Sequence, residues 1–184
     1  MANLLSALLT VDFWRTGGAM VRYVPRALRK PQVNGMAFFT DAKLNEYKSR
    51  IAMLSPATLT VWGTMTVDQG LHHLNLACGH PNGFYTLPDE SYLASRTVFR
   101  WILVDWFPEQ PQGLRLPAGF RIAHEEHFDF FVERDRLVEI IESAWSRRAA
   151  DQWGPHCTFG KMSLWEWGKL LQIHIDYHLR QFGI

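Results

Sequence analysis

The stretch that most limits this chain's fold is "SLWEWGKLLQIHIDYHLRQ", residues 163–181. Ser163 and Glu166 form a capping box, the signature of a helix start. The apolar positions that follow recur at helical spacing. Each residue of an α-helix advances about 100°, so positions four apart share a face. Trp167, Leu170 and Leu171 make an ordinary core arc, but along that arc come His174, His178 and Gln181. An unpaired imidazole in a core is costly. The pair His174 and His178 therefore admits two readings: ligands of one metal ion, for which one-turn spacing is suited, or hydrogen-bonded core histidines. Gln181 fits either a hydrogen bond beside such a site or a cap on the helix end. Arg180 reads as a surface residue paired with an acid such as Asp176.

The remaining patterns are also helical. "TDAKLNEYKSRIAML" (40–54) carries Leu44, Tyr47, Ile51 and Leu54 on one face, with Thr40 or Asp41 as N-cap. Thr66 and Gln69 form a second capping box ahead of "TVDQGLHHLNLAC" (66–78), with Gly79 as its stop. "PDESYLASRTVFRWILVDWF" (88–107) is apolar on most sides and reads as a buried helix ended by Pro108. Residues 108–129 form a long connection whose "FRIA" (120–123) is the best strand signal. "FVERDRLVEIIESAWSRR" (131–148) is strongly amphipathic. The expectation is an all-α four-helix bundle, residues 37–184, with a long insertion between its second and third helices. Residues 1–36 read as an N-terminal extension, apolar at first and then basic through Arg15, Arg22, Arg26, Arg29 and Lys30. A solvated extension lying on the body is its plainer reading, against an arm that faces a partner or membrane.

Composition removes several classes of function. A net charge of +1 over 184 residues predicts no nucleic-acid partner. No apolar run is long enough to span a membrane, and "LLSALL" lacks the flanks of a signal peptide. Two cysteines, Cys78 and Cys157, are too few for a disulfide framework. A cytoplasmic location is the expectation.

A metal would need a third ligand from another helix, and His72 and His73 are the candidates. His73 is in line with the small residues Gly70 and Ala77, which leave room for a neighbouring helix; His72 lies slightly farther round. His124 and His127 in "HEEH" miss the spacing of a zinc-protease helix, and a di-iron pattern fails because Leu171 stands three residues before His174. Cys157 beside His156 offers a weak nucleophile reading, and Cys78, His80, His156 and Cys157 a weaker structural zinc. Glu125, Glu126 and Asp129 are the carboxylates to examine as general acid or base, although no catalytic residue is assigned.

Three stretches together, "WGTMTVDQGLHHL" (62–74), "HCTFGKMSLWEWG" (156–168) and "HIDYHLRQFGI" (174–184), resemble the DinB-like superfamily of metal-binding four-helix bundles. The chain resembles in particular a branch with a Trp-Gly-x-Met-Thr start and a His-x-x-x-His-x-x-Gln-Phe-Gly end. The match runs over residues 40–184. It implies an up-down-down-up bundle, a homodimer, and a ligand set of His73, His174 and His178, one from the second helix and two from the last. The chain departs from the pattern at 156–157, where His-Cys replaces His-Pro. Three imidazoles leave a divalent ion with open positions. Zinc or nickel is the first expectation, and iron, cobalt, copper and manganese suit the same donors. The resemblance implies a small-molecule substrate such as a low-molecular-weight thiol, and either thiol transfer or hydrolysis by activated water. A metal-stabilised bundle that binds or assembles without catalysis is the alternative.

Overall fold

The computed structural model describes residues 21–25, 29–112, 114, 118–149 and 153–184. Among the described residues, four α-helices build the main core: α1 (Asp41–Ala52), α2 (Val67–Gly79), α3 (Phe130–Ser146) and α4 (Leu164–Gln181). Short 3-10 turns occupy Gly35–Phe39, His80–Asn82 and Ala118–Phe120. Residues 1–20 and 26–28, most of the expected N-terminal extension, lie outside the described residues.

The helix starts follow from local chemistry. Thr40 Oγ1 accepts the Lys43 amide at 3.3 Å and opens α1. Gln69 Oε1 accepts the Thr66 amide at 3.1 Å. At α4 the box closes in both directions: Glu166 Oε2 accepts the Ser163 amide at 2.6 Å and Ser163 Oγ accepts the Glu166 amide at 3.2 Å. The α-helix ends at Gly79 as expected, although its left-handed residue comes later. The backbone continues into the His80–Asn82 turn and reaches the left-handed region only at Gly83, φ 82°. Gly79 serves a different need, since a Cβ there would sit 2.6 Å from the Tyr85 ring.

The main core joins all four helices through Tyr47 and Ile51 (α1), Leu71 and Leu74 (α2), Leu137, Ile140 and Ile141 (α3), and Leu171, Ile175 and Leu179 (α4). The Gly35–Phe39 turn lies directly against α4. A Cβ on Gly168 would approach the Gly35 carbonyl oxygen to 2.2 Å, so backbone touches backbone there. Lys169, fully buried, fastens further chain to α4 by donating to Gln32 Oε1 at 3.0 Å and the Asp105 carbonyl at 2.5 Å.

Two expectations need correction. The stretch 88–107 is neither α-helical throughout nor buried. Its helix spans 93–106, mostly in wide π turns (Ser95–Phe99 and Trp101–Trp106). Val104 is buried, but Leu93 and Trp101 are 72% and 59% exposed. Apolar residues on every side cannot all face one neighbour, and a single-layer contact leaves the rest outside. The helix stops at Phe107, which takes an extended conformation (ψ 132°) because Pro108 excludes the helical one. The second correction concerns 120–123: among the described residues there is no strand, and Phe120 closes a 3-10 turn instead.

Candidate metal centre

α2 turns His73 inward, completely buried, and α4 presents His174 and His178 from the facing side. The three imidazoles form a group that could hold a metal ion, with ligand atoms all within 4.8 Å of one another. His73 Nε2 and His174 Nε2 are 2.9 Å apart. Tetrahedral coordination with metal–nitrogen bonds near 2.0–2.1 Å places ligand nitrogens about 3.3 Å apart, a value this trio brackets.

The outer nitrogens of His73 and His178 are already committed. His73 Nδ1 stands 3.4 Å from the Phe120 carbonyl oxygen, which can only accept. Gln181 is read from both ends. Its Nε2 donates to the Trp62 carbonyl at 2.9 Å, so its Oε1 accepts a hydrogen bond from the His178 Nδ1–H at 2.8 Å. His178 Nε2 is then a bare lone pair, buried and without a hydrogen-bond partner. Such an atom carries a desolvation cost of about 1–3 kcal/mol. A cation coordinated there removes that cost, so the donor set fits a divalent metal.

Electrostatics point the same way. Burial, opposed only by the Phe120 hydrogen bond, brings His73 down to about 4. Burial and the neighbouring imidazoles hold His174 and His178 well below the ordinary histidine value. All three rings are therefore neutral near pH 7, the form that ligates. No carboxylate belongs to the group among the described residues, so an ion would keep its two positive charges. His174 is only half-buried, unlike its two partners, and marks the accessible side.

The other candidates are placed elsewhere. His72 stacks on Phe128 (centroids 3.8 Å, 8°) and sits 3.1 Å from Glu133, outside the trio. His124 and His127 are exposed. His80 Nδ1 accepts the Leu87 amide at 3.3 Å. His156 Nδ1 accepts two amides, Thr158 at 3.0 Å and Phe159 at 3.2 Å. That leaves no base for Cys157, whose sulfur is 4.0 Å from the same nitrogen and whose thiol burial pushes up. Cys78, raised to about 12 by burial, is equally inert. Both cysteines are free. Among the expected carboxylates, Glu126 accepts the Ala123 amide at 2.9 Å, Asp129 caps α3, and Glu125 is exposed. Asp176 pairs with Arg50 rather than with Arg180. Arg180 donates to the Asp176 carbonyl and reaches Glu109.

Sequence reading missed Phe120 and Glu109. Phe120 had strand neighbours on paper, and Glu109 follows Pro108 in a loop with no periodic signal. Trp62 could have been found: it belongs to the Trp-Gly-x-Met-Thr stretch, and the structure lays that stretch against the end of α4. Val61 donates its amide to the Gln181 carbonyl at 2.7 Å, and a Cβ on Gly63 (φ 84°) would come within 2.6 Å of Gln181 Nε2. The two motifs are one structural unit.

Residues 38–183, which include all three histidines and Gln181, match a family described as protein of unknown function (DUF1569). The chain belongs to that family. No curated protein and no solved structure matches it. The DUF1569 match begins inside the Gly35–Phe39 turn and ends beyond α4, so it takes in every element that builds the trio. No helix among the described residues is long and apolar enough to cross a membrane.

Proposed function

We propose that this DUF1569 chain is a metal-dependent protein of the DinB-like kind, a four-helix bundle in which His73, His174 and His178 bind one divalent ion, zinc or nickel first. The observation that carries the reading is His178 Nε2, buried, deprotonated by its Gln181 partnership and unpartnered, within 4.8 Å of the other ligand atoms. A divalent ion at this trio would supply Lewis acidity toward a water or a thiol at its open position. The chain's residues do the rest. The Phe120 carbonyl and Gln181 hold two rings in the ligating tautomer, and the half-buried His174 side admits a small molecule. Uncompensated positive charge favours an anionic partner there, which suits thiol transfer or hydrolysis in a cytoplasmic enzyme. A second reading, a metal-stabilised bundle or homodimer that binds without catalysis, draws support from the absence of a carboxylate in the described group.

Elemental analysis of tag-free protein tests the metal. Near-stoichiometric zinc or nickel is expected, lost in His73→Ala and kept in His72→Ala. Full occupancy in His73→Ala would sink the assignment.

A further inference from the structure

Beside the histidine group, on the outer side of α4, lies a separate cleft of about 480 Å³. Its walls include Arg22, Tyr23, Trp62, Glu109, Tyr177 and Arg180. The volume falls in the range of small-molecule sites, about 300–1,000 Å³. Two walls are aromatic: Trp62 and Tyr177 meet edge to face, centroids 6.0 Å apart at 75°. Tyr177 in turn lies edge-on to His178 at 5.0 Å, so the cleft and the metal group share a wall but not a ligand.

The charge is asymmetric. Glu109 is the one carboxylate among the described lining residues, and it is buried. Arg180 donates to it at 3.0 Å, and Lys30 pairs with the same oxygen. Burial pushes the Glu109 carboxyl up, but the hydrogen bonds from Lys30, Arg180 and Tyr23 outweigh it and hold the group below the usual value. That carboxylate is paired with Lys30 and Arg180, while Arg22 lines the exposed rim of the cleft. Arg180 spends Nε on the Asp176 carbonyl and Nη1 on Glu109, which leaves Nη2 as a charged donor to an oxyanion, and aromatic walls take up a flat apolar body.

We infer that this cleft binds a small amphipathic molecule bearing an oxyanion, a carboxylate or a phosphate ester, with the oxyanion on Arg22 and Arg180 and the flat part against the edge-to-face pair of Trp62 and Tyr177. The site works independently of any ion at the histidines.

The test titrates the full-length protein, metal-free and zinc-loaded, with 1-naphthoate, 1-naphthyl phosphate and neutral 1-naphthamide by calorimetry. At least one anion should bind saturably in both metal states, about tenfold or more tighter than the amide, as loss of a charged hydrogen bond implies. Which anion binds tighter identifies the headgroup. The double variant Arg22→Gln/Arg180→Gln should lose about tenfold at an unchanged melting temperature. If that variant melts early, Glu109→Gln replaces it with the opposite sign: affinity for the anion should rise, and no rise overturns the inference. Equal binding of amide and anions, no saturable binding at millimolar concentration, or affinity that survives the double variant overturns it as well. Binding seen only with zinc and indifferent to the arginines belongs to the histidine group and overturns it too, leaving the metal reading intact.

Discussion

Gln181 is the side chain whose replacement separates orientation from ligation. It touches His178 Nδ1 at 2.8 Å and the Trp62 carbonyl at 2.9 Å, and ligates nothing itself. Gln181→Ala frees the His178 ring to rotate, and outer partners of this sort contribute about 10–100-fold to metal affinity. Competition with a chromophoric chelator should show that loss while stoichiometry at saturating metal stays at one ion per chain. Protonation gives a second expectation. Burial first, then neighbouring charge, lowers His73 to about 4 and His156 to about 3 in the folded chain, against about 6.5 when unfolded. As pH falls below about 6.5 the unfolded chain takes up protons that the folded chain refuses, so metal-free stability must decline. By pH 5 the loss is about 2 kcal/mol for each such histidine. Denaturant melts of metal-free protein between pH 7 and 5 should show it. His156→Gln, which keeps an acceptor for the Thr158 and Phe159 amides, should flatten that decline. A pH-independent midpoint would contradict the burial of both rings. At this scale the sequence revealed the histidines of the candidate group and the helical spacing of His174 and His178, because periodicity exposes a polar residue on an apolar arc. It did not reveal Phe120 as the partner of His73, since a backbone carbonyl carries no residue-type signal.

Among the elements, those with local start signals were the legible ones. Thr40, Thr66 and Ser163 cap the helices they were expected to cap, because capping is decided within four residues. Residues 93–106 were misread because the choice between α and π turns, and between buried and exposed faces, depends on distant chain. Ser95 Oγ donates to the Thr158 carbonyl at 2.6 Å, a contact 63 residues away. The contact of α4 with the Gly35–Phe39 turn is equally non-local, and it makes a sharp expectation. Gly168→Ala sets a Cβ 2.2 Å from the Gly35 carbonyl oxygen, backbone that cannot give way cheaply. Overpacking of this kind costs roughly 3 kcal/mol or more, and about 2–4 °C of melting temperature per kcal/mol in a chain of this size. Gly154→Ala is the control, since its Cβ would meet Pro81 only at 3.4 Å. Thermal melts should separate the two variants by roughly 6 °C or more. Near-identical melting would mean that the turn and α4 lie farther apart than described.

For the whole molecule the decisive fact is that the histidine group spans two helices distant in sequence, with His73 on α2 and His174 and His178 on α4. The unfolded chain has no such site, so any ion bound there stabilises only the folded state. At a free metal concentration about a hundred times the dissociation constant, the gain is about 2.7 kcal/mol, worth roughly 5–10 °C in a chain of this size. Chelation of the purified protein should lower the melting temperature by that order, and re-addition of the ion should restore it. The same treatment of His73→Ala should change nothing, although that variant's own midpoint drops because a buried ring is gone. Comparing the two responses to chelator separates linkage through the site from a general effect of the chelator on the fold. If both proteins shift equally, the ion sits elsewhere. If neither shifts after elemental analysis verifies metal removal, the trio is a set of core histidines, and the orphaned His178 Nε2 needs a water or another donor to explain it.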